Sequence, residues 1–460
     1  MTLSQSIAVF ITQLDHSNIP SDVLEKAKTC LLNGYGIGLG CHNTPYAPVA
    51  RRAALAMNGE WKHGGATLLG DGRRTSVAGA ALANSALFHG RAQEDTCGAA
   101  HFGAILIPLL TAMIEADVYP LERLLPSLLA GYEAGGLLEQ AYAGITTPAG
   151  FRASAVYGTV AAAAAAAKLM NLPVEQTAAA LSNAASFAGG LLQSFADGTD
   201  EWRYQVGVAG QTGYTAAQLA RAGSVSAPGA FEGDAGFIKA FTGQKCDAEA
   251  LAARLGKDWA MHRVTFKPFP VCAFNQTPVT AGLVVREQLK GHALESIRRI
   301  IVRMNPYETG YAGMDSKGPF NSISGTLMSI PFCIANTLLY GIPDMKAMTA
   351  YDDARVNDLM TRIDLVSDEN VKKLCCAIRV ELPNDEVIDH QQLMEFADYA
   401  YDRAGVSELI RRVGAESDLP GSLYDGLEAF TLAPENHRIA DVINCFSALP
   451  GSTAWSANNG

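Results

Sequence analysis

Seven consecutive alanines, Ala161–Ala167, constrain this chain more than any other stretch. Alanine is the strongest helix former and is depleted in strands, so the run predicts a helix over 155–170. A helix that presents only methyl groups around its circumference is a buried one, and other helices must approach it closely. The same small-residue character runs through the first half of the chain. Gly34-Tyr-Gly-Ile-Gly-Leu-Gly40 alternates four glycines. G-x-G-x-x-G fails there in every register and no strand precedes it, so close helix packing accounts for the glycines better than a dinucleotide loop.

Helical periodicity extends the pattern. A helix opens at Pro20-Ser21 with Val23, Ala27, Leu31 and Gly34 on one face. Others are predicted over 46–57, 74–88, 104–116, 120–145 and 207–222, and one restarts at Leu172-Pro173 and runs to Ala188, with proline in its first turn. A Pro/Gly-rich loop spans Ser224–Gly236. Nothing before residue 255 resembles a strand. The character changes near 262, where Ile297, Ile301, Val302 and Met304 predict one strand and Ala377–Leu382 a second that stops at Pro383. Between them 320–341 and 355–363 look helical. Helices return at 401–413 and 437–449, with Ile439, Val442 and Ile443 on one face. The expected fold is mainly α: a large all-helical domain over 1–261, a smaller α+β domain over 262–400, and C-terminal helices in 401–460 that return to the first domain. The tail from Trp455 is expected to fray.

Length and composition bound the function. At 460 residues two domains are the first expectation, and 48% hydrophobic with 18% charged residues is globular. The net charge of −11 argues against a nucleic-acid partner, which needs a basic face. No stretch reaches the length of a membrane span, and the N-terminus lacks the basic start of a signal peptide. Nine cysteines without a Cys-x-x-Cys suit reduced thiols, so the expected location is the cytoplasm. There is no Walker A sequence, G-x-S-x-G elbow, H-E-x-x-H or zinc spacing, and the nine histidines from His16 to His437 form no paired-ligand pattern. No metal is expected. Acid/base chemistry by His, Lys, Tyr and carboxylates remains, with cations to hold an anion.

One stretch concentrates such groups. Residues 89–103, His-Gly-Arg-Ala-Gln-Glu-Asp-Thr-Cys-Gly-Ala-Ala-His-Phe-Gly, lie between the apolar segments Val77–Asn84 and Ala104–Leu110. A Gly-rich turn between buried helices lets polar side chains converge at the edge of a core. A solvated loop with a capping Asp-Thr is the plainer alternative.

Several stretches in order resemble the MmgE/PrpD family: His89…Glu94-Asp95-Thr96…His101, Gly150-Phe151…Tyr157-Gly158, Gly207-x-Ala-x-x-x-Gly213, Phe231-Glu-Gly-Asp-Ala-Gly-Phe237, Lys267-x-Phe-Pro-x-Cys272 and Ser329-Ile-Pro-Phe-Cys-Ile-Ala335. The resemblance covers about residues 20 to 450. It implies a helical domain with an α+β lid, a homodimer without cofactor, and an active site between the domains. It also implies proton abstraction beside a carboxylate of a small di- or tricarboxylic acid. Family activities include dehydration of 2-methylcitrate, decarboxylation of cis-aconitate and epimerisation of iminodisuccinate. The outcome here is therefore a lyase or an isomerase, and a retired, non-catalytic homodimeric binding protein is the reading from another class. Departures motivate that last reading: Ala92 stands where the family usually has Asp, Arg152 and Gln276 where it has His, and Trp202-x-x-Gln205 where it has Lys-x-x-His.

Among individual residues, His101 is the expected proton-transfer group because imidazole titrates near neutrality; a core histidine bonded to a carbonyl is the alternative. Asp95 is expected to orient His101 or bind substrate, with helix capping as the competing role. Thr96 can donate to a carboxylate or cap. Lys267, before Pro268-Phe-Pro270, can neutralise an enolate or sit on the surface. Arg152 has the fork geometry for a carboxylate. Arg91, Gln205 and Gln276 are further substrate-binding candidates, although Arg91, like Arg203, also suits an ion pair. Tyr157, Cys97 and Cys272 are expected to pack.

Overall fold

A computed structural model describes residues 1–449, so the tail from Trp455 lies outside the described residues. The alanine run sits in the helix Ala153–Leu169, and each of Ala161–Ala167 is fully buried. Helices Leu124–Thr146 and Glu201–Arg221 flank it. Contact between them is backbone to backbone: a Cβ at Gly213 would meet Ala162 Cβ at 2.5 Å and the Thr159 carbonyl at 2.6 Å. Any larger residue there would push two helices apart. The alternating glycines work the same way within the helix Ser21–Gly40, where Gly34, Gly36, Gly38 and Gly40 receive Ile107, Ile410, Phe88 and Val413.

The first core extends from Leu3 to Phe266 and takes in the C-terminal helices Arg403–Ala415, Gly421–Leu432 and Ile439–Ser447 through Ile410, Val413, Phe430 and Phe446. It is not free of strands. Ala66–Thr67 pairs with Arg74–Thr75, and Thr96–Cys97 pairs with Val264–Thr265, both antiparallel. Two-residue strands are too short to show alternation, which is why periodicity missed them. The helix expected from 74 therefore starts at Val77, where Ser76 accepts a hydrogen bond from the Gly79 N–H.

A second core, drawn mainly from Phe269–Leu382 and joined by Ala92, Leu192, Phe195 and Trp202, packs helices Gln276–Gln288 and Ile330–Tyr340 on a four-stranded sheet. Its order is Ile363–Ser367, Arg299–Met304, Cys376–Glu381, Val387–Gln392, the first pair parallel and the others antiparallel. Val302 lies between Leu365 and Ile378 in register. The two central strands are those expected; both outer ones were missed, since Asp364 interrupts the short Ile363–Ser367 and Val387–Gln392 carries Asp389, His390, Gln391 and Gln392 in place of an apolar run. The segment 320–341 is two helices, because Ser329 caps a new start by accepting from the Phe332 N–H.

The chain passes between the two cores several times, and two of these crossings are short and meet each other. Phe88 belongs to the first and Ala92 to the second; Phe266 belongs to the first and Phe269 to the second. The polar stretch 89–103 and Lys267 thus meet at the junction. Among the described residues no helix is long and apolar enough to cross a membrane.

Candidate active site

The chain leaves the helix Val77–Phe88 at His89, turns at Ala92 with a φ of 54°, pairs through Thr96–Cys97 and re-enters a helix at Gly103. Four other ionisable groups gather around Glu94 at this turn. Its Oε1 accepts from Lys267 Nζ at 2.6 Å and lies 3.3 Å from His101 Nδ1, while its Oε2 lies 2.9 Å from His89 Nδ1. Arg152 comes from the mouth of the alanine helix; its Nη2 donates to His89 Nε2 at 2.6 Å and its Nη1 to Gln205 Oε1 at 3.2 Å and the Trp202 carbonyl. Lys267 also donates to the Ala92 carbonyl at 2.5 Å. These groups close a cavity of about 60 Å³ walled by Phe195, Trp202, Phe274, Tyr311 and Met328.

Donor and acceptor roles fix both imidazoles. Arg152 can only donate, so His89 Nε2 is an acceptor and the ring proton sits on Nδ1, toward Glu94. A carbonyl can only accept, and His101 Nδ1 is 3.1 Å from the Asp95 carbonyl, so His101 also carries its proton on Nδ1. Its Nε2 makes no hydrogen bond among the described residues and keeps its lone pair for the cavity.

Burial holds both rings neutral. It drives His89 down to about 4 against the opposing pull of Glu94. It also drives His101 well below its ordinary value, with Lys267 adding to the drop and Glu94 resisting. Glu94 is held well below the usual carboxylate range, since His89 and Lys267 outweigh the burial that opposes its charge. Burial lowers Arg152 to about 10, which leaves it charged at neutral pH. The inner cavity therefore presents a neutral base beside two cations and one compensating carboxylate.

Of the residues expected from sequence, the structure brings His101, Lys267 and Arg152 together here and places the others elsewhere. Asp95 is turned away: its Oδ2 accepts from the Tyr132 hydroxyl at 2.5 Å inside the helical core, and burial raises it to about 6. Its backbone carbonyl, not its carboxylate, orients His101; the orienting carboxylate is Glu94. Glu94 pulls the pKa of His101 upward, but burial outweighs it, so the ring does not titrate near neutrality as the sequence led one to expect. The Thr96 hydroxyl is tied to that of Thr265 at 2.6 Å across the small strand pair, outside the cavity. Arg91 pairs with Glu416 at 2.6 Å and Gln93 at 3.2 Å, and faces the C-terminal helices. Gln205 holds Arg152 and the Leu191 carbonyl. Gln276 accepts from the Phe269 N–H and donates to the Phe269 and Val271 carbonyls, bracing the turn that carries Lys267. Arg203 pairs with Asp200 and lies over the Tyr46 ring. Tyr157 is bonded to Thr146 within the core, and Cys97 is buried. Cys272 lines the cavity with its thiol pushed up to about 11 by burial, a neutral wall.

The sequence reading assigned no role to Glu94 or His89, although both stand in the polar stretch. Phe195 and Tyr311, far away in sequence, carried no signal at all. Among the described residues no three His, Cys, Asp or Glu side chains form a group able to hold a metal ion.

Comparison with known proteins agrees with this architecture. A cis-aconitate decarboxylase-like protein from Aspergillus oryzae is 28% identical over 83% of this chain and 83% of its own length. Cis-aconitate decarboxylase from Aspergillus terreus is 27% identical over 76% of this chain and 74% of its own, and that from Homo sapiens 27% over 66% and 64%. The MmgE/PrpD N-terminal domain matches residues 5–249 and the MmgE/PrpD C-terminal domain residues 269–413. The first match covers more than half of the chain and the second takes in the sheet and the helices packed on it, and the chain belongs to the MmgE/PrpD family.

Proposed function

We propose that the protein is a lyase that removes a proton from the carbon next to a carboxylate. His101 Nε2 is the base, and Lys267 and Arg152 hold the carboxylate. The observation that carries this reading is the fixed tautomer: a neutral imidazole with its lone pair facing a cavity that also contains two cations. A hydrogen beside a carboxylate is a very weak acid, so a base alone removes it slowly. Cations aimed at the carboxylate lower the barrier by matching the charge that develops on its oxygens.

In the dehydration form His101 takes the proton, and the C–H electron pair forms a carbon–carbon double bond. The hydroxyl on the next carbon leaves with the C–O bonding pair and takes the proton from His101 to depart as water. In the decarboxylation form the bond to a carboxylate breaks, carbon dioxide leaves, and the electron pair left on carbon takes a proton that water supplies through His101 Nε2, which ends neutral again. The names of the relatives support the lyase class. Epimerisation needs a second proton carrier on the opposite face of the carbon, and His89, the other imidazole, has its Nε2 taken by Arg152 and its Nδ1 2.9 Å from Glu94.

The test is deuterium uptake at the carbon next to the carboxylate when carboxylic acids are incubated with purified protein in D2O. His101→Asn is expected to slow uptake by about 10²–10⁴-fold, the share of a general base, with the fold retained. Uptake at near the original rate in that variant, or none with any acid in the original protein, overturns the reading.

A further inference from the structure

Resting on the proton-transfer reading above, we infer that the substrate carries a single carboxylate at its reacting end and an uncharged remainder, in place of the di- or tricarboxylate expected from the family resemblance. Charge is the first argument. The inner cavity holds Lys267 and Arg152 as cations and Glu94 as an anion, with His89 and His101 neutral. Its sum is one positive charge, which one carboxylate cancels. A second carboxylate in the same space would face Glu94 with no cation left to match it, and an unmatched charge in a closed cavity is strongly disfavoured.

Space is the second. A cavity of about 60 Å³ holds about four water molecules, room for a carboxylate and the carbon beside it. The remainder of any larger acid must extend outward. The way out passes Tyr311, which lines both this cavity and an outer one of about 580 Å³. The outer cavity is built from Pro148, Ala149, Leu191, Leu192, Pro306 and Tyr307 among others, and none of its lining residues is charged.

Neighbouring cations do not change this account. Lys373 lies over the Tyr307 ring at 4.0 Å but is not part of the lining. A side cavity of about 220 Å³ shares Lys267 and Phe274 with the inner one and contains Arg263. That guanidinium is held by Glu139 at 3.1 Å and by the Gly136 carbonyl at 2.7 Å, so its charge is matched within the protein. The positions where the sequence departs from the family pattern act in the same direction. Trp202 is an aromatic wall, Gln205 is neutral, and Ala92 offers its carbonyl to Lys267.

A matched pair of acids tests this. 3-Hydroxyhexanoate and 3-hydroxyadipate share one reacting end and differ at the far end, where the second has a carboxylate; cis-aconitate serves as a tricarboxylate. Calorimetric titration of the full chain is expected to show 3-hydroxyhexanoate binding at least tenfold more tightly than either polyacid. Leu191, which is 58% exposed and lines the outer cavity, can be replaced without disturbing the core. Leu191→Arg is expected to narrow the preference over 3-hydroxyadipate at least threefold. Equal or tighter binding of a polyacid by the original protein, no binding of any of the three, or an unchanged ratio in Leu191→Arg overturns the inference. Deuterium uptake separates it from the reading on which it rests. A polyacid that binds best and exchanges its hydrogen sinks the charge argument alone, and a monoacid that binds best but does not exchange sinks the proton-transfer reading alone.

Discussion

Glu94→Gln isolates the centre of the site. The substitution keeps the shape of the side chain and removes its charge, so Lys267, 4% exposed, loses its anion at 2.6 Å and keeps only neutral acceptors, the new amide oxygen and the Ala92 carbonyl. Breaking one side of a buried pair costs about 3–5 kcal/mol. With about 2.1 cal/mol/K of unfolding entropy per residue over 460 residues, the melting temperature should fall by about 3–5 °C. His101 loses one of the two acceptors at its Nδ1 and retains the Asp95 carbonyl at 3.1 Å. A hydrogen bond to a charged group contributes about 1.5–3 kcal/mol, so kcat should fall by about 10–150-fold. KM should not rise, because the cavity becomes more positive. Asp95→Asn is the control: its carboxylate meets Tyr132 and not the cavity, so kcat should stay within about threefold of the original. Thermal melting and initial rates on an acid that exchanges deuterium provide both readouts. If Asp95→Asn loses more kcat than Glu94→Gln while both remain folded, the assignment of Glu94 as the orienting carboxylate is wrong.

Because burial and Lys267 depress His101, its base form persists through neutrality, and the acid limb of kcat/KM should lie below pH 6.5; a limb centred at 7 or above would contradict a neutral resting imidazole. Arg152→Ala should raise KM about tenfold or more with less effect on kcat, the size of a lost charge-assisted hydrogen bond, and an unchanged KM in a folded variant removes Arg152 from substrate binding. Glu133 accepts the Ala260 and Met261 N–H groups, and burial raises it to about 7. The folded protein holds that proton while the unfolded chain releases it near 4.5, so this contribution is complete below pH 4.5 and lost as pH rises through 7. Urea unfolding should show that Glu133→Gln escapes the resulting loss of about 3 kcal/mol. We also expect sedimentation at twice the 48.6 kDa chain mass and activity that survives chelation, and a monomer or a chelator-abolished activity would count against this.

The helical half of the fold was legible because its signal is composition. A run such as Ala161–Ala167 has one good conformation, and the glycines of Ser21–Gly40 announce close approach whichever helix arrives. What sequence could not supply was the partner: Gly36 and Gly40 receive Ile410 and Val413 from a helix almost four hundred residues away. The sheet was half legible for a similar reason. Of its central strands, Arg299–Met304 has a buried apolar run and Cys376–Glu381 is buried on alternate positions, whereas Val387–Gln392 alternates only between exposed and half-exposed, leaving no apolar period to detect.

The site divides along the same line between local and distant information. The turn 89–103 could be found from its density of polar residues, but which of two adjacent carboxylates faces the cavity is a matter of backbone direction. Successive side chains on a chain running into a strand point to opposite sides, so Glu94 and Asp95 cannot both face His89. The structure resolves the choice by giving Asp95 a partner on the far side, Tyr132 in the helix Leu124–Thr146. Lys267 depends on distance in the same way: its reach to Glu94 exists because Thr96–Cys97 pairs with Val264–Thr265, only two residues before the lysine. That strand pair is among the shortest elements of the fold and left no trace in the periodicity. It nonetheless sets the separation of the two segments that cross between the cores, so Thr96 and Thr265, which do not reach the cavity, govern the alignment of the lysine with the carboxylate.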